Sequence, residues 1–592
     1  LSMVMSRGQQ LNQILVIEPT TSAWMYYSPA KNNEKFDKIA VDFQNFVHHL
    51  EREQIEYDLL SEFVLRDHGQ YQGKKLRVGQ RDYDLVVLPP GLENLEQRTV
   101  ELLKSFLESG GKVISWGEKE LLVDGKPSSL PAELTSSGNF EQLESTSLSG
   151  ENLRAVFSTR LKPAIEFSQL SGEDMLFHQR RQYKDGQILF LTNISPTEPA
   201  SGQIKLKGRS LEQWDLMNGQ TGNVQAERKR GWLNFEFNLK PGESLLLAIY
   251  DRKQSGQTSV STTGDYEEKI EEEIKLRPES IRRMDPNVLT LDYCDLTLPG
   301  RTTRNLYFYE AQRRAFNFHG FDRNPWDSAV QFQASLISRN HFPSDSGYSA
   351  QFNFSIRPGV DLNSLQLAVE RPAIFKVEVN GRPLKPEEGS WWLDKSIAVY
   401  PLNQVARTGE NIVTLNVKPF DLLAELEPIY VLGDFSLETA SRGFILSPTK
   451  KLEPGSWKEQ GLPLYGQRVE YQTYFKLSEP SADFYLRLPG WRGALAEVVI
   501  NGEKAGYLIG HYDFLSLGSK LKSGLNQISV IIYGTLKNTL GPHHLNPPAG
   551  QAWPAAFQRA PEGGQLTGSE YNSQDYGLAS EIVIGRLKAK LK

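Results

Sequence analysis

The strongest constraint on the fold is a pattern that the chain carries twice. Lys376-Val-Glu-Val-Asn380-Gly381 is matched by Glu497-Val-Val-Ile-Asn501-Gly502. Each is an alternating strand that runs into Asn-Gly. Alternation of this kind makes a half-buried strand, and Asn-Gly accepts positive φ at both central positions of a tight hairpin. A second matched pair follows, Gly409-Glu-Asn411-Ile-Val-Thr-Leu-Asn-Val417 and Gly524-Leu-Asn526-Gln-Ile-Ser-Val-Ile-Ile532. There a turn feeds a long alternating strand. The spacing from Asn to the second Gly is 29 residues in one copy and 23 in the other. A repeat of this size predicts two tandem β-sandwiches, at 285–445 and 446–592.

The first part of the chain has a different rhythm. Ile14-Leu-Val-Ile17 is a continuous apolar run, as a strand buried on both faces requires. Phe36, Ile39, Ala40, Phe43, Phe46, Val47 and Leu50 follow at helical spacing. Tyr57–Leu60, Leu85–Leu88 and Val113–Trp116 read as further strands, with a helix over Leu102–Leu107 ended by Gly110-Gly111. This alternation predicts a parallel, doubly wound α/β domain at 1–125. The stretch 118–175 gives no firm elements. From 176 to 250 the signal is β, with Ile188–Leu191, a turn at Asn218-Gly219, alternation from Leu233 to Phe237 and a closing run Ser244–Tyr250. Residues 126–250 are therefore expected to hold a mixed segment and a small antiparallel domain. Residues 251–284, Ser/Thr/Gly-rich and then charged, read as a linker with one exposed helix.

Bulk properties exclude several function classes. A chain of 592 residues implies about three to five domains. Net charge is −6 and no basic stripe carries interleaved aromatics, so no nucleic-acid partner is expected. The single cysteine, Cys294, permits no internal disulfide and no Cys-based metal site. It suits a reducing compartment and equally a periplasmic protein. No run approaches the ~18 apolar residues of a membrane span. The chain opens on Leu1-Ser-Met-Val-Met, which reads like the middle of an apolar helix and predicts a cleaved or truncated product.

The second repeat resembles the sugar-binding jelly-roll, or galactose-binding-like, domain of large glycoside hydrolases. The likeness runs through Gly455-Ser-Trp457, Gly461-Leu-Pro463-Leu-Tyr465, Tyr471, Leu488-Pro-Gly-Trp491, Val499-Ile-Asn501-Gly502, Gly524-x-Asn526, Gly534-Thr535 and Asn538. In the first repeat, Asn287–Tyr293, Asn324-Pro-Trp326-Asp327, Trp391-Trp392-Leu-Asp394 and Glu425-Leu-Glu427-Pro-Ile-Tyr430 resemble the C-terminal halves of bacterial α-L-rhamnosidase-type enzymes. Val16-Ile-Glu-Pro-Thr20-Thr21-x-x-Trp24 resembles the α/β domain that follows the catalytic barrel in those enzymes, a domain similar in shape to class I glutamine amidotransferases and flavodoxin. The resemblance implies the region downstream of a (β/α)₈ barrel. Such a barrel needs about 250 residues of alternating β and α, and only residues 1–117 alternate here. The implied role is ancillary, in polysaccharide degradation: binding an oligo- or polysaccharide, bracing an upstream catalytic domain of a periplasmic or secreted enzyme, or both.

A glycosidase needs two carboxylates in opposite protonation states. Asp327, Asp394, Glu425, Glu427 and Asp575 are the available carboxylates, with Asp327, Glu425 and Glu427 foremost; each equally fits a turn or a hydrogen-bonded loop. Amidotransferase chemistry is excluded, because the turn after Leu85–Leu88 reads Pro89-Pro-Gly91-Leu-Glu and offers no nucleophile. Nor does any phosphate-binding glycine motif occur. Sugar recognition combines flat aromatics with a few placed polar groups. Three sets fit: Asn324, Trp326 and Asp327; Trp391 and Trp392, of which one must face the core; and His543, His544, Trp553, Tyr571, Asp575 and Tyr576. Trp491 joins them through the jelly-roll motif. The alternative is that these aromatics fill cores and interfaces. His543-His544 lacks a third metal ligand at familiar spacing. Oxygen-rich sandwich loops admit structural calcium, without an EF-hand pattern, and no other cofactor is expected. Two rival readings remain, a self-sufficient glycosidase with an inter-domain site and a structural or adhesive surface protein.

Overall fold

The computed structural model describes the chain except residues 30, 145–147, 149, 217–218, 220, 253–258, 261–269, 328–330, 481–483, 511–512, 546–551 and 588–592. It divides into two compact units, Leu1–Tyr266 and Glu267–Lys592.

The first unit opens on the doubly wound domain. Ile14–Ile17 and Leu85–Leu88 are buried at every residue, and they pair in parallel at the centre of a five-stranded sheet. Tyr57–Leu60 flanks Ile14–Ile17 on one side; Lys112–Ser115 and then Phe140–Gln142 lie beyond Leu85–Leu88 on the other. In chain order the strands run 2-1-3-4-5, a doubly wound arrangement. The fifth strand falls in the stretch without a sequence signal, because Phe140-Glu-Gln is too short and polar to show one. Helix Glu34–Arg52 is capped by Asn33, whose side chain accepts from Lys35 N. Of its predicted apolar face, Ile39, Phe46 and Leu50 are buried, while Ala40 is exposed. Helix Gln97–Glu108 ends as expected. Gly110 N donates to Leu107 O and Gly111 N to Phe106 O, with Gly110 left-handed at φ 89°.

A second β structure completes this unit. Strands Leu176–Tyr183, Gly186–Asn193, Ser210–Trp214 and Ser244–Tyr250 belong to one sheet, and Ile165–Ser171, Ala200–Lys207 and Trp232–Leu239 to another. A shared core from Ile165, Leu189, Leu191, Ile204, Phe235 and Leu247 seals them. Asn218 of the expected turn lies outside the described residues; Gly219 is left-handed at φ 73°. Buried Arg180 is held by Glu56 through two bonds of 2.5 and 2.6 Å. Burial pushes the Glu56 carboxyl up, but this guanidinium overrides it and holds the group down at about 2.

The second unit holds two sandwiches, and the linker reading of 251–284 is corrected over 270–283, while residues 253–258 and 261–269 of it lie outside the described residues. Ile270–Leu276 is a strand paired with Ile582–Leu587, and Ser280–Arg283 a strand paired with Arg468–Leu477. Both belong to the second sandwich, and no helix forms between them. The error has a physical cause: Ile270 and Ile274 stand four apart, a spacing that fits a helix face and one face of a strand equally. The two sandwiches have separate buried cores, one built around Phe352, Leu367, Val413 and Val431, the other around Tyr471, Leu486, Val498 and Val530.

The repeated signature has one job in both copies. Asn380 and Gly381 are left-handed at φ 53° and 76°, Asn501 and Gly502 at 53° and 84°, as a hairpin of this twist requires. The Asn380 amide donates to Asn411 Oδ1 at 2.9 Å, and Ile412 N donates back to Asn380 Oδ1 at 3.1 Å. Asn501, Asn526 and Gln527 repeat those bonds at 2.9 and 3.1 Å. Asn411 and Asn526 are fully buried and also bond the turn before their strands, to Arg407 O and Lys522 O at 2.7 Å each. The V/I-N-G and G-x-N halves are thus two sides of one asparagine clasp.

Candidate functional site

One end of a sheet in the first sandwich collects the unusual side chains. Strand Asn287–Leu291 pairs antiparallel with Ile429–Gly433, which pairs antiparallel with Gln366–Glu370, which in turn pairs antiparallel with Asp394–Pro401. Thr290 and Ala368 both lie opposite Tyr430, and Glu370 lies opposite Ile397. The register therefore brings Asp292, Glu427 and Glu370 to the same sheet end. Phe308 N donates to Asp292 O at 2.8 Å, so helix Phe308–Phe318 starts there, with Tyr307 as its N-cap residue and Tyr309 in its first turn.

Glu425 is the hub of this cluster. Its Oε1 accepts from the buried Asn324 amide at 2.8 Å, and its Oε2 pairs with Arg371 at 2.6 Å. Arg371 has a left-handed backbone, φ 54°, unusual for a long side chain. It also donates to Leu423 O at 2.7 Å and lies 3.6 Å from Glu370. Asn324 Oδ1 accepts from Trp326 N, and the Trp326 indole donates to Leu422 O at 2.8 Å. Tyr309 donates to Asp327 at 2.9 Å.

Two acids here differ from ordinary carboxyls. Burial, reinforced by the Glu370 and Glu425 carboxylates, pushes Glu427 up to about 8. Burial also raises Asp292 to about 7, against the Tyr571 hydroxyl that donates to it at 3.3 Å. Glu370 is raised as well, chiefly by burial. The sheet end thus sets carboxyls raised by burial beside Glu425, which is paired with the Arg371 guanidinium. It offers hydrogen-bond donors and acceptors within one cluster, the composition that recognises hydroxyls.

Residues from the distant C-terminal stretch close the cluster. The His544 ring meets Tyr307 edge-on at 5.3 Å, and Tyr571 stacks on His543 at 5.3 Å. His543 itself is buried, its Nε2 donating to Asn538 O at 2.7 Å, and burial lowers it to about 4. It is a packing residue and is corrected from a sugar contact to a support for Tyr571.

Other expected residues lie elsewhere. Trp491 is a correction: it is buried in the core of the second sandwich. Its apolar bulk and its place between Leu488 and Ala496 drive it inward. Asp575 is paired with Arg492. Trp553 is 49% exposed and Trp391 53%, whereas Trp392 packs on Tyr430 at 4.8 Å. Asp394 is exposed and accepts from Ser396 N and Oγ, closing a turn. Tyr576 packs against Trp457 in the second core. Sequence reasoning missed Asp292, Glu370, Arg371, Tyr307, Tyr309 and Tyr430 as members of the cluster. Their convergence comes from strand register, and register is not written in any local pattern. Among the described residues, no group of three or more His, Cys, Asp or Glu is arranged to hold a metal ion, and no helix is long and apolar enough to cross a membrane.

No family model matches the chain, and no curated protein matches it. Among solved structures, a rhamnosidase from Novosphingobium sp. PP1Y aligns with 98% of this chain and 40% of its own, at 11% identity and a TM-score of 0.44. An apo exo-carrageenase GH42 from Bacteroides ovatus aligns with 40% of this chain and 29% of its own, at 15% identity and 0.26. A β-galactosidase from Bacillus circulans sp. alkalophilus aligns with 42% of each chain, at 12% identity and 0.28. This chain spans less than half the length of each. At these scores the likenesses define no family.

Proposed function

We propose that this chain is the ancillary region of a glycoside hydrolase of α-L-rhamnosidase type, engaged in polysaccharide degradation in the periplasm or outside the cell. On this reading an amidotransferase-like scaffold (1–125) and a small β region (126–250) precede two sandwiches. The sandwiches bind sugar and brace a catalytic (β/α)₈ barrel contributed from outside this chain. The supporting observation is convergence. Asn324, Trp326, Asp327, Glu425, Glu427, His544 and Tyr571 were singled out from three separate stretches, and they gather around one sheet end with donors and acceptors for hydroxyls.

Titration of the full chain with rhamnogalacturonan oligosaccharides is expected to give a dissociation constant in the millimolar range. Incubation with aryl α-L-rhamnosides is expected to release no aryl alcohol. Absence of any binding would sink the reading, and so would robust turnover.

A self-sufficient glycosidase is the second reading, favoured by one observation. Burial raises the Glu427 carboxyl to about 8, while neighbouring Glu425 pairs with Arg371 at 2.6 Å, and two carboxyls in unlike environments are what an acid and a nucleophile or base require. That reading demands turnover by the isolated chain, abolished by Glu427→Gln and by Glu425→Gln. The adhesive alternative expects Trp326 and Trp553 to be buried; Trp326 is partly buried against the first core and Trp553 is 49% exposed.

A further inference from the structure

The doubly wound domain carries a second concentration of side chains that the sandwich site does not use. In open α/β sheets ligands bind outside the carboxyl ends of the strands, where the strand order reverses. Here that point lies between Ile14–Ile17 and Leu85–Leu88. The segments leaving those two strands are tied together. Glu93 N donates to Ser22 Oγ at 2.9 Å, and Tyr26 donates its hydroxyl to Glu93 at 2.7 Å. Lys35 pairs with the same carboxylate at 2.8 Å and sits 4.7 Å above the Tyr26 ring. The same segment carries two open aromatic rings. Trp24 is 58% exposed and Tyr27 61% exposed. Each is steadied by one ring, Trp24 by Phe63 at 5.2 Å and Tyr27 by Phe36 at 5.7 Å.

Isolated exposed aromatics are common, but two anchored rings three residues apart, flanking the Tyr26 that contacts a carboxylate–ammonium pair, are not a solvated accident. No glycine-rich phosphate loop accompanies them, which argues against a nucleotide. A pyranose ring presents an apolar C–H face and a rim of hydroxyls, and both halves have partners here. We propose that the carboxyl edge of the α/β domain is a second glycan-binding site, with Trp24 and Tyr27 as stacking platforms and Glu93 and Lys35 as hydroxyl partners. The site stands independently of the sandwich cluster.

The test is calorimetric titration of the full chain with rhamnogalacturonan oligosaccharides. Wild type is expected to show two sites per chain. Trp24→Ala should weaken one of them about tenfold while leaving the other. Trp24→Phe should keep it within about threefold, because a flat ring remains. Glu425→Gln, in the sandwich, should affect only the other site. Because Trp24 is exposed, the Ala variant should melt with the wild type, which separates lost binding from lost fold. Unchanged affinity and stoichiometry in both Trp24→Ala and Tyr27→Ala overturn the proposal. A single site that Glu425→Gln abolishes also overturns it while sparing the sandwich reading, and a single site that only Trp24→Ala weakens does the reverse.

Discussion

The two sandwiches share one frame and differ in what stands at its ends. Each is locked by an asparagine clasp with the same donors, acceptors and distances to within a tenth of an ångström. Only the first gathers Asp292, Glu370, Glu425 and Glu427 at one sheet end, with Arg371 set between two of them. The second carries Trp491 in its core, and its Asp575 makes an ion pair with Arg492. A signature that recurs in both therefore reports the frame. Chemistry has to be sought where the copies diverge.

The largest expected effects fall on what is shared. Asn411→Ala and Asn526→Ala each strip a fully buried side chain of its bonds and leave backbone groups unpaired. Each should cost about 3 kcal/mol in chemical denaturation, and the two costs should match within about 1 kcal/mol. A large inequality would break the equivalence of the clasps.

Next comes the hub of the divergent end. Glu425→Ala removes the acceptor of Asn324 and the closest partner of Arg371. A loss of about 2 kcal/mol is expected, and oligosaccharide affinity should fall about tenfold. The paired change in the second sandwich, Asp575→Asn, removes only a rim ion pair. It should cost less than about 1 kcal/mol and leave sugar affinity untouched.

The subtlest expected effect is a pH dependence. The carboxyl of Glu427 is raised from 4.5 to about 8 in the folded chain. The native state therefore holds this proton more tightly than the unfolded chain, and stability falls as pH rises from about 4.5 through 8. Glu427→Gln cannot lose a proton. The variant should match wild type near pH 4 and exceed it by about 1–2 kcal/mol at pH 9, an amount discounted for residual solvent at the site. Thermal melts across that range check it, and parallel curves for the two proteins would contradict it.

Much of the frame was legible in the sequence. Fully apolar runs such as Ile14–Ile17 announced buried parallel strands, and Asn-Gly announced the hairpins, because both signals are local. Strands at 140–142 and 270–276 were not legible: the first is short and polar, and the second has an isoleucine spacing shared by helix and strand. The cluster was half legible. Asn324, Asp327, Glu425 and Glu427 stood out as charged or amide residues in distinctive motifs. Glu370 and Arg371 did not, since an acidic–basic pair at a strand end is indistinguishable from a solvated turn until register brings it beside Glu425. Trp491 lies in the second core, and a tryptophan in a sugar-binding motif and a tryptophan in a core look alike in sequence.

The central claim is that the divergent end of the first sandwich contacts sugar. The most direct measurement is titration of the full chain with rhamnogalacturonan oligosaccharides, comparing Glu425→Gln with wild type and using Asp575→Asn as the matched control. The account predicts that Glu425→Gln weakens binding about tenfold at that site while Asp575→Asn leaves it unchanged. Equal affinities in all three proteins, or no binding by any of them, would contradict it.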